Sequence, residues 1–155
     1  MKNKKEVGKA LGRVPSGLFV VTAKCEDKED AVLASWMNQC SFDPPALTIA
    51  LATLRSARLL VEASGAFIVN VLPKDDMTLL KHFSRPPEDI FKGVKTKKGL
   101  DGIRILSDAV AYMECEVAQA MQAGDHFLYV GEIVGGKILN GGDPYIHVRD
   151  NGFSY

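Results

Sequence analysis

Five runs of strand length recur along the chain, at residues 17–23, 46–52, 66–72, 110–117 and 127–134, each apolar and bounded by turn residues. All are rich in β-branched or aromatic side chains, which suit a pleated, half-buried surface. In the fourth run Glu114 and Glu116 alternate with Met113, Cys115 and Val117, as on a strand with one wet face. Helical signals are fewer and shorter. Val7, Ala10, Leu11 and Val14 form a helical stripe that Pro15 closes. Ser56 can cap a helix through Ala63, with Gly65 just beyond its end. Asp75 and Asp76 precede Met77, Leu80 and Phe83, while Lys81 and His82 lie at the far end, an order that suits the helix dipole. The expectation is a mainly β chain, a closed or partly closed antiparallel barrel carrying a few short α-helices. Its 155 residues fit a single domain over 1–155. Residues 84–106 read as a long polar connection with two prolines and three glycines, either functional or disordered.

Composition removes several classes of function. Nineteen basic residues balance nineteen acidic ones, so the footprint of a general nucleic-acid binder is missing. Cys25, Cys40 and Cys115 are odd in number, form no C-x-x-C pair and join no cluster of metal-ligand spacing. They read as reduced thiols of a cytoplasmic protein, with no metal site. The basic start, Lys2 to Lys5, lacks the apolar stretch a signal peptide needs. Nor does any stretch approach the roughly 20 apolar residues of a membrane span. No G-x-G-x-x-G, P-loop, G-x-S-x-G or H-E-x-x-H motif is present, so no dinucleotide fold of the usual kind is expected.

Three local stretches invite a ligand. The run ending at Ala52 passes through Thr53-Leu54-Arg55 into the segment that Ser56 can cap. Free N–H groups at a helix start attract anions, and Arg55 and Arg58 add charge-assisted donors. A plain N-cap beside two solvated arginines is the simpler reading of these residues taken alone. From Ala34 to Ser41 the chain mixes small, amide, hydroxyl and aromatic side chains. These can bond the edge of a flat heterocycle while Trp36 supplies an apolar wall. The same residues also suit a strand-to-loop transition with Trp36 in the core. Gly124-Asp125-His126 reads first as a turn before a strand.

Taken in order, these stretches resemble the flavin reductase-like family of FMN-binding split barrels. The likeness runs from Leu11-Gly12-Arg13-Val14-Pro15-Ser16-Gly17 and Phe19-Val20-Val21-Thr22 through Ala34-Ser35-Trp36 to Ser41-Phe42-Asp43-Pro44-Pro45. It continues with 64–72, Lys81-His82-Phe83, 109–115 and Gly124-Asp125-His126. Within the family, Ala34-Ser35-Trp36, Lys81-His82-Phe83 and the Ala111-to-Cys115 pattern resemble the flavin reductase domain at the C-terminus of flavodiiron proteins. There is no room here for their diiron or flavodoxin-like domains, which implies a free-standing relative.

The resemblance implies a homodimeric split barrel holding FMN, with FAD possible, and taking hydride from NADH or NADPH. Leu33, Ala34, Ser35, Trp36, Gln39, Cys40 and Ser41 then line the flavin ring. Ala52, Arg55 and Ser56 take the ribityl-phosphate end, Phe83 and Ser84 lie beside the flavin, and Arg85 is a further phosphate candidate. His126 faces the ring edge or the nicotinamide as the catalytic residue. Many relatives carry Asn-Ser where this chain has Ser35-Trp36. An FMN electron carrier serving a protein partner is the competing function, and reduced flavin handed to a monooxygenase is one possible outlet. A dimeric interaction domain without cofactor is the third reading.

Overall fold

A computed structural model describes residues 1–154. In chain order it contains α1 (Lys4–Gly12), β1 (Ser16–Gly17), β2 (Phe19–Cys25), β3 (Lys28–Ala34), β4 (Met37–Phe42) and β5 (Pro45–Ala52). Next come α2 (Ser56–Ser64), β6 (Ala66–Val71), α3 (Thr78–Ser84), β7 (Thr96–Lys98) and β8 (Arg104–Leu106). The long ribbon of β9 (Ala111–Ala123) and β10 (His126–Ile138) and the short β11 (Ile146–His147) complete it.

Seven strands form one antiparallel sheet in the order β3-β2-β6-β9-β10-β5-β4. The two edge strands, β3 and β4, are consecutive in the chain and joined only by Ser35 and Trp36. Side chains from both ends of that order share one core: Phe19 and Val21 of β2, Ala34 of β3, Leu47 and Ile49 of β5, Phe67 of β6 and Tyr129 of β10. The sheet is therefore curled on itself and left open between its edges. Val61 of α2 closes the same core, with α2 lying against β2 and β3.

β2 and β6 are covered on both faces, which explains why their sequence is apolar without alternation. Their outer faces meet Phe83, Phe91, Leu106 and Ala109 on one side and Ile103 and Ile105 on the other. Most of that outer cover comes from the stretch that reads as a polar loop. Residues 84–106 carry their few apolar groups inward, and β7 and β8 pair as a hairpin. Asn70, fully buried in β6, bonds the cover to the sheet. Its Nδ2 donates to the Val20 carbonyl at 3.1 Å, and its Oδ1 accepts from the Leu106 amide at 2.8 Å.

Other expectations are corrected. α1 ends at Gly12, short of Val14, and leaves Leu11 exposed; it buries Gly8 and Gly12 instead, because the C-terminal segment lies along its glycine face. Glu114 is half-buried, its carboxylate accepting from the Leu100 amide at 2.8 Å. β9 and β10 outrun the expected strands, bending at register shifts near Gly131 and Gly135. A Cβ at Gly131 would lie 2.5 Å from the Phe67 ring, so the bend depends on glycine there.

Candidate functional site

Ser35 and Trp36 bridge the split between β3 and β4. Ser35 is buried, and its Oγ has no hydrogen-bond partner among the described residues. Buried hydroxyls are normally bonded, so this one suits a polar group brought by a ligand. The Trp36 carbonyl accepts from the Ala50 amide at 3.0 Å, which pins the crossing to β5. Its indole packs 4.7 Å from the His126 ring, tilted by 42°.

His126 opens β10 opposite Ala52 and is only 8% exposed. The Gly124 backbone at φ 63° turns the chain out of β9. Asp125 then fixes the turn twice. Its carbonyl accepts from the Thr53 amide and hydroxyl at 3.0 and 2.8 Å. Its carboxylate accepts from His126 Nδ1 at 2.7 Å, a bond that holds the Asp125 carboxyl below the usual range. The turn expected from Gly124-Asp125 is thus present, and it delivers His126 to the ring of Trp36.

A second contact on Trp36 had no signal in the sequence. Arg149 sets its guanidinium 5.3 Å from the indole centroid. Segment 146–154 carries it along α1, with the Arg149 amide donating to the Gly12 carbonyl at 3.2 Å and Gly152 to Gly8 at 2.7 Å. A Cβ on Gly12 would sit 2.4 Å from the Arg149 carbonyl oxygen, too close for any side chain.

At the end of β5 the helix start differs from expectation. Arg55, in extended conformation, occupies the N-cap of α2 without a side-chain cap bond. Ser56 is the first helical residue, and its hydroxyl donates to Asp30 Oδ2 on β3. The other Asp30 oxygen accepts from the Ala31 amide at 2.7 Å. Ser56 does not cap because the N-cap falls one residue earlier, at Arg55, and its hydroxyl turns to the carboxylate on β3 instead. The first-turn N–H groups of α2 and the exposed Arg55 remain at this end of β5.

Arg58 is no solvated arginine. Its Nε donates to the Thr53 carbonyl at 2.9 Å, and its Nη1 reaches Glu62 at 2.6 Å and the Tyr129 hydroxyl at 3.4 Å. Burial lowers the guanidinium pKa, but the bonds to Tyr129 and Glu62 outweigh it and raise it overall. Its plane also lies 4.6 Å from the Phe127 ring centroid. Arg58 therefore braces α2 on β10 and is not available to an anion.

The remaining candidates divide between two faces. Ala34 points into the inner core, whereas Leu33 packs with Phe83 in the outer one. Phe83 meets Phe91 edge-on at 6.5 Å, and the Ser84 hydroxyl bonds back to the Leu80 carbonyl at 2.7 Å. Arg85 is exposed at the end of α3. Gln39, Cys40 and Ser41 lie on β4, an edge strand that the crossing at Ser35 and Trp36 leads into. Gln39 Nε2 donates to the Ser41 carbonyl at 3.3 Å, across a register shift that leaves Cys40 exposed. Ser35, Trp36, Ala52 and His126 meet at the split, with Arg55 and Ser56 a few residues along from Ala52. Leu33 and Phe83 stand on the opposite side of β3.

A barrel opened between consecutive strands, with polar residues gathered at the opening, defines the split-barrel class. Residues 11–154 match the flavin reductase like domain, and the chain belongs to that family. Diflavin flavoprotein A 1 of Synechocystis sp. is 37% identical over 155 residues, covering 97% of this chain and 27% of that protein. Putative diflavin flavoprotein A 6 of Nostoc sp. is 41% identical over 154 residues, with 96% and 27% covered. The chain spans about a quarter of the length of these relatives. Among solved structures, the nitrilotriacetate monooxygenase component B homologue from Mycobacterium thermoresistibile shares the fold, with a TM-score of 0.86 at 23% identity over 96% of this chain and 84% of that one. The flavin reductase HpaC, solved with NADP+, gives 0.80 at 25% identity over 93% and 90%.

Proposed function

We propose that the chain binds FMN at the split of its barrel and reduces it with hydride from NADH or NADPH. The observation that carries this reading is the buried Ser35 hydroxyl, without a partner among the described residues, in a crossing that also holds Trp36 against His126. Membership of the flavin reductase like family and the likeness to HpaC, a reductase crystallised with NADP+, support it.

Bound flavin would supply the hydride-accepting ring. The protein's part is placement and electrostatics. Ser35 meets a polar edge of the ring, while Trp36 walls the opening and excludes water. Arg55 and the first turn of α2 hold the phosphate. His126 orients the nicotinamide or offsets negative charge that develops on the ring, a contribution larger during reduction than at rest.

Two copies are expected to form a homodimer, the commonest closed assembly. Large apolar side chains left exposed on β4, β9 and β10, among them Phe42, Met121 and Val134, favour such a contact. The relatives' name, diflavin flavoprotein, favours a second reading in which bound FMN passes electrons to a protein site. Stopped-flow mixing of flavin-loaded protein with each nicotinamide tests both. Rapid bleaching of the flavin band is expected. A flavin that stays oxidised under saturating NADH and NADPH would leave the carrier reading, and no quenching of FMN fluorescence by tens of micromolar protein would remove both.

A further inference from the structure

The Ser56 hydroxyl, at the helix start assigned above to the flavin phosphate, is held by a carboxylate. Asp30 turns both oxygens to local donors, one to the Ala31 amide and one to Ser56. No cation pairs with it among the described residues: neighbouring Glu29 is taken by Arg104 at 2.6 Å, and Arg58 is committed to Glu62. A full negative charge therefore stands within one hydrogen bond of the first residue of α2.

We propose that Asp30 is a specificity-determining residue that weakens the chain's preference for FMN over riboflavin and FAD. This rests on the phosphate lying at the start of α2. The terminal phosphate of FMN is a monoester with a second pKa near 6, so at neutral pH it carries close to two charges. Each phosphate of FAD's pyrophosphate carries one, and riboflavin carries none. Like charges a few ångströms apart at a solvated surface repel in proportion to their product, so Asp30 acts most on FMN. Asp30 also competes for the Ser56 proton, which a phosphate oxygen would otherwise accept.

The test is fluorescence titration of riboflavin, FMN and FAD against wild type and Asp30→Asn, with a melting curve for each protein. Asn preserves size and one acceptor while removing the charge. FMN affinity is expected to rise about tenfold, FAD affinity less, and riboflavin affinity not at all. Asp30→Ala provides the same loss of charge should the Asn variant melt early. An FMN-to-riboflavin affinity ratio that stays the same or falls in the folded variants would overturn the role of Asp30 and leave flavin binding intact. Tight riboflavin binding with no gain for FMN's phosphate in wild type or variant would instead overturn the phosphate position at α2. Failure of wild type to bind any of the three would remove the flavin reading itself.

Discussion

The two halves of the curled sheet differ in how many faces are covered. β2 and β6 are packed inside by the barrel core and outside by α3 and the 91–109 cover. β4 and the far ends of β9 and β10 have one face bare, with Phe42 90% exposed and Met121 60% exposed. In the covered half the fully buried polar residues, Thr22 and Asn70, spend their groups chiefly on backbone. The residues with chemistry to offer lie in or beside the other half. On the proposed function, stability and binding fall to different strands of one sheet, and single substitutions should separate them.

The largest effect belongs to the covered half. Phe67→Ala would empty a fully buried site beneath Gly131 and should cost about 3–5 kcal/mol in denaturant unfolding. Flavin affinity of the protein that stays folded should hold. A loss of affinity without loss of stability would break the division. Next, Arg55→Ala should weaken FMN by about 1.5–3 kcal/mol, roughly ten- to a hundredfold, and leave riboflavin and the melting temperature unchanged. Equal losses for both ligands would give Arg55 a role in folding or at the ring.

His126→Ala should slow flavin reduction at saturating nicotinamide roughly tenfold, on the order of 1.4 kcal/mol, with FMN affinity nearly unchanged. If instead the melting point falls and the limiting rate holds, the contacts to Asp125 and Trp36 serve the turn alone. The smallest effect is expected at the bare edge. Phe42→Ser should shift unfolding of the monomer by no more than about 0.5 kcal/mol. Sedimentation should nonetheless show a weaker dimer, and an unaltered one would move the contact elsewhere.

Legibility in the sequence follows the same division. The runs at 46–52 and 66–72 become β5 and β6 almost residue for residue, because burial leaves apolar side chains little choice. β3 gives no clear strand signal because three of its seven residues, all at its start, are charged. Its Lys28-Glu29-Asp30 start stays in the sheet with Glu29 bonded by Arg104, which arrives from the cover 75 residues later. β4 was hidden by its mixture of amide, thiol and hydroxyl groups, which only an edge strand tolerates. Of the proposed site, Arg55 and Ser56 stand out through their neighbours in the chain, whereas Gly124-Asp125-His126 reads first as a turn and only the family resemblance points to His126. Asp30 beside Ser56, and Arg149 over Trp36, do not stand out, since tertiary folding alone brings them there.

The contact between the glycine face of α1 and segment 146–154 has a consequence for tolerance. A single methyl group at Gly12 would overlap the carbonyl oxygen of the residue whose guanidinium rests on Trp36. The displaced backbone would take Arg149 with it, and the indole bearing on His126 would lose its cationic neighbour. Near the two ends of the chain, clearances are thus set to a fraction of an ångström, and an error there would reach the middle of the barrel. Drift at residue 12 would be felt first in the alignment of aromatic rings far along the chain, well before it was felt in the fold.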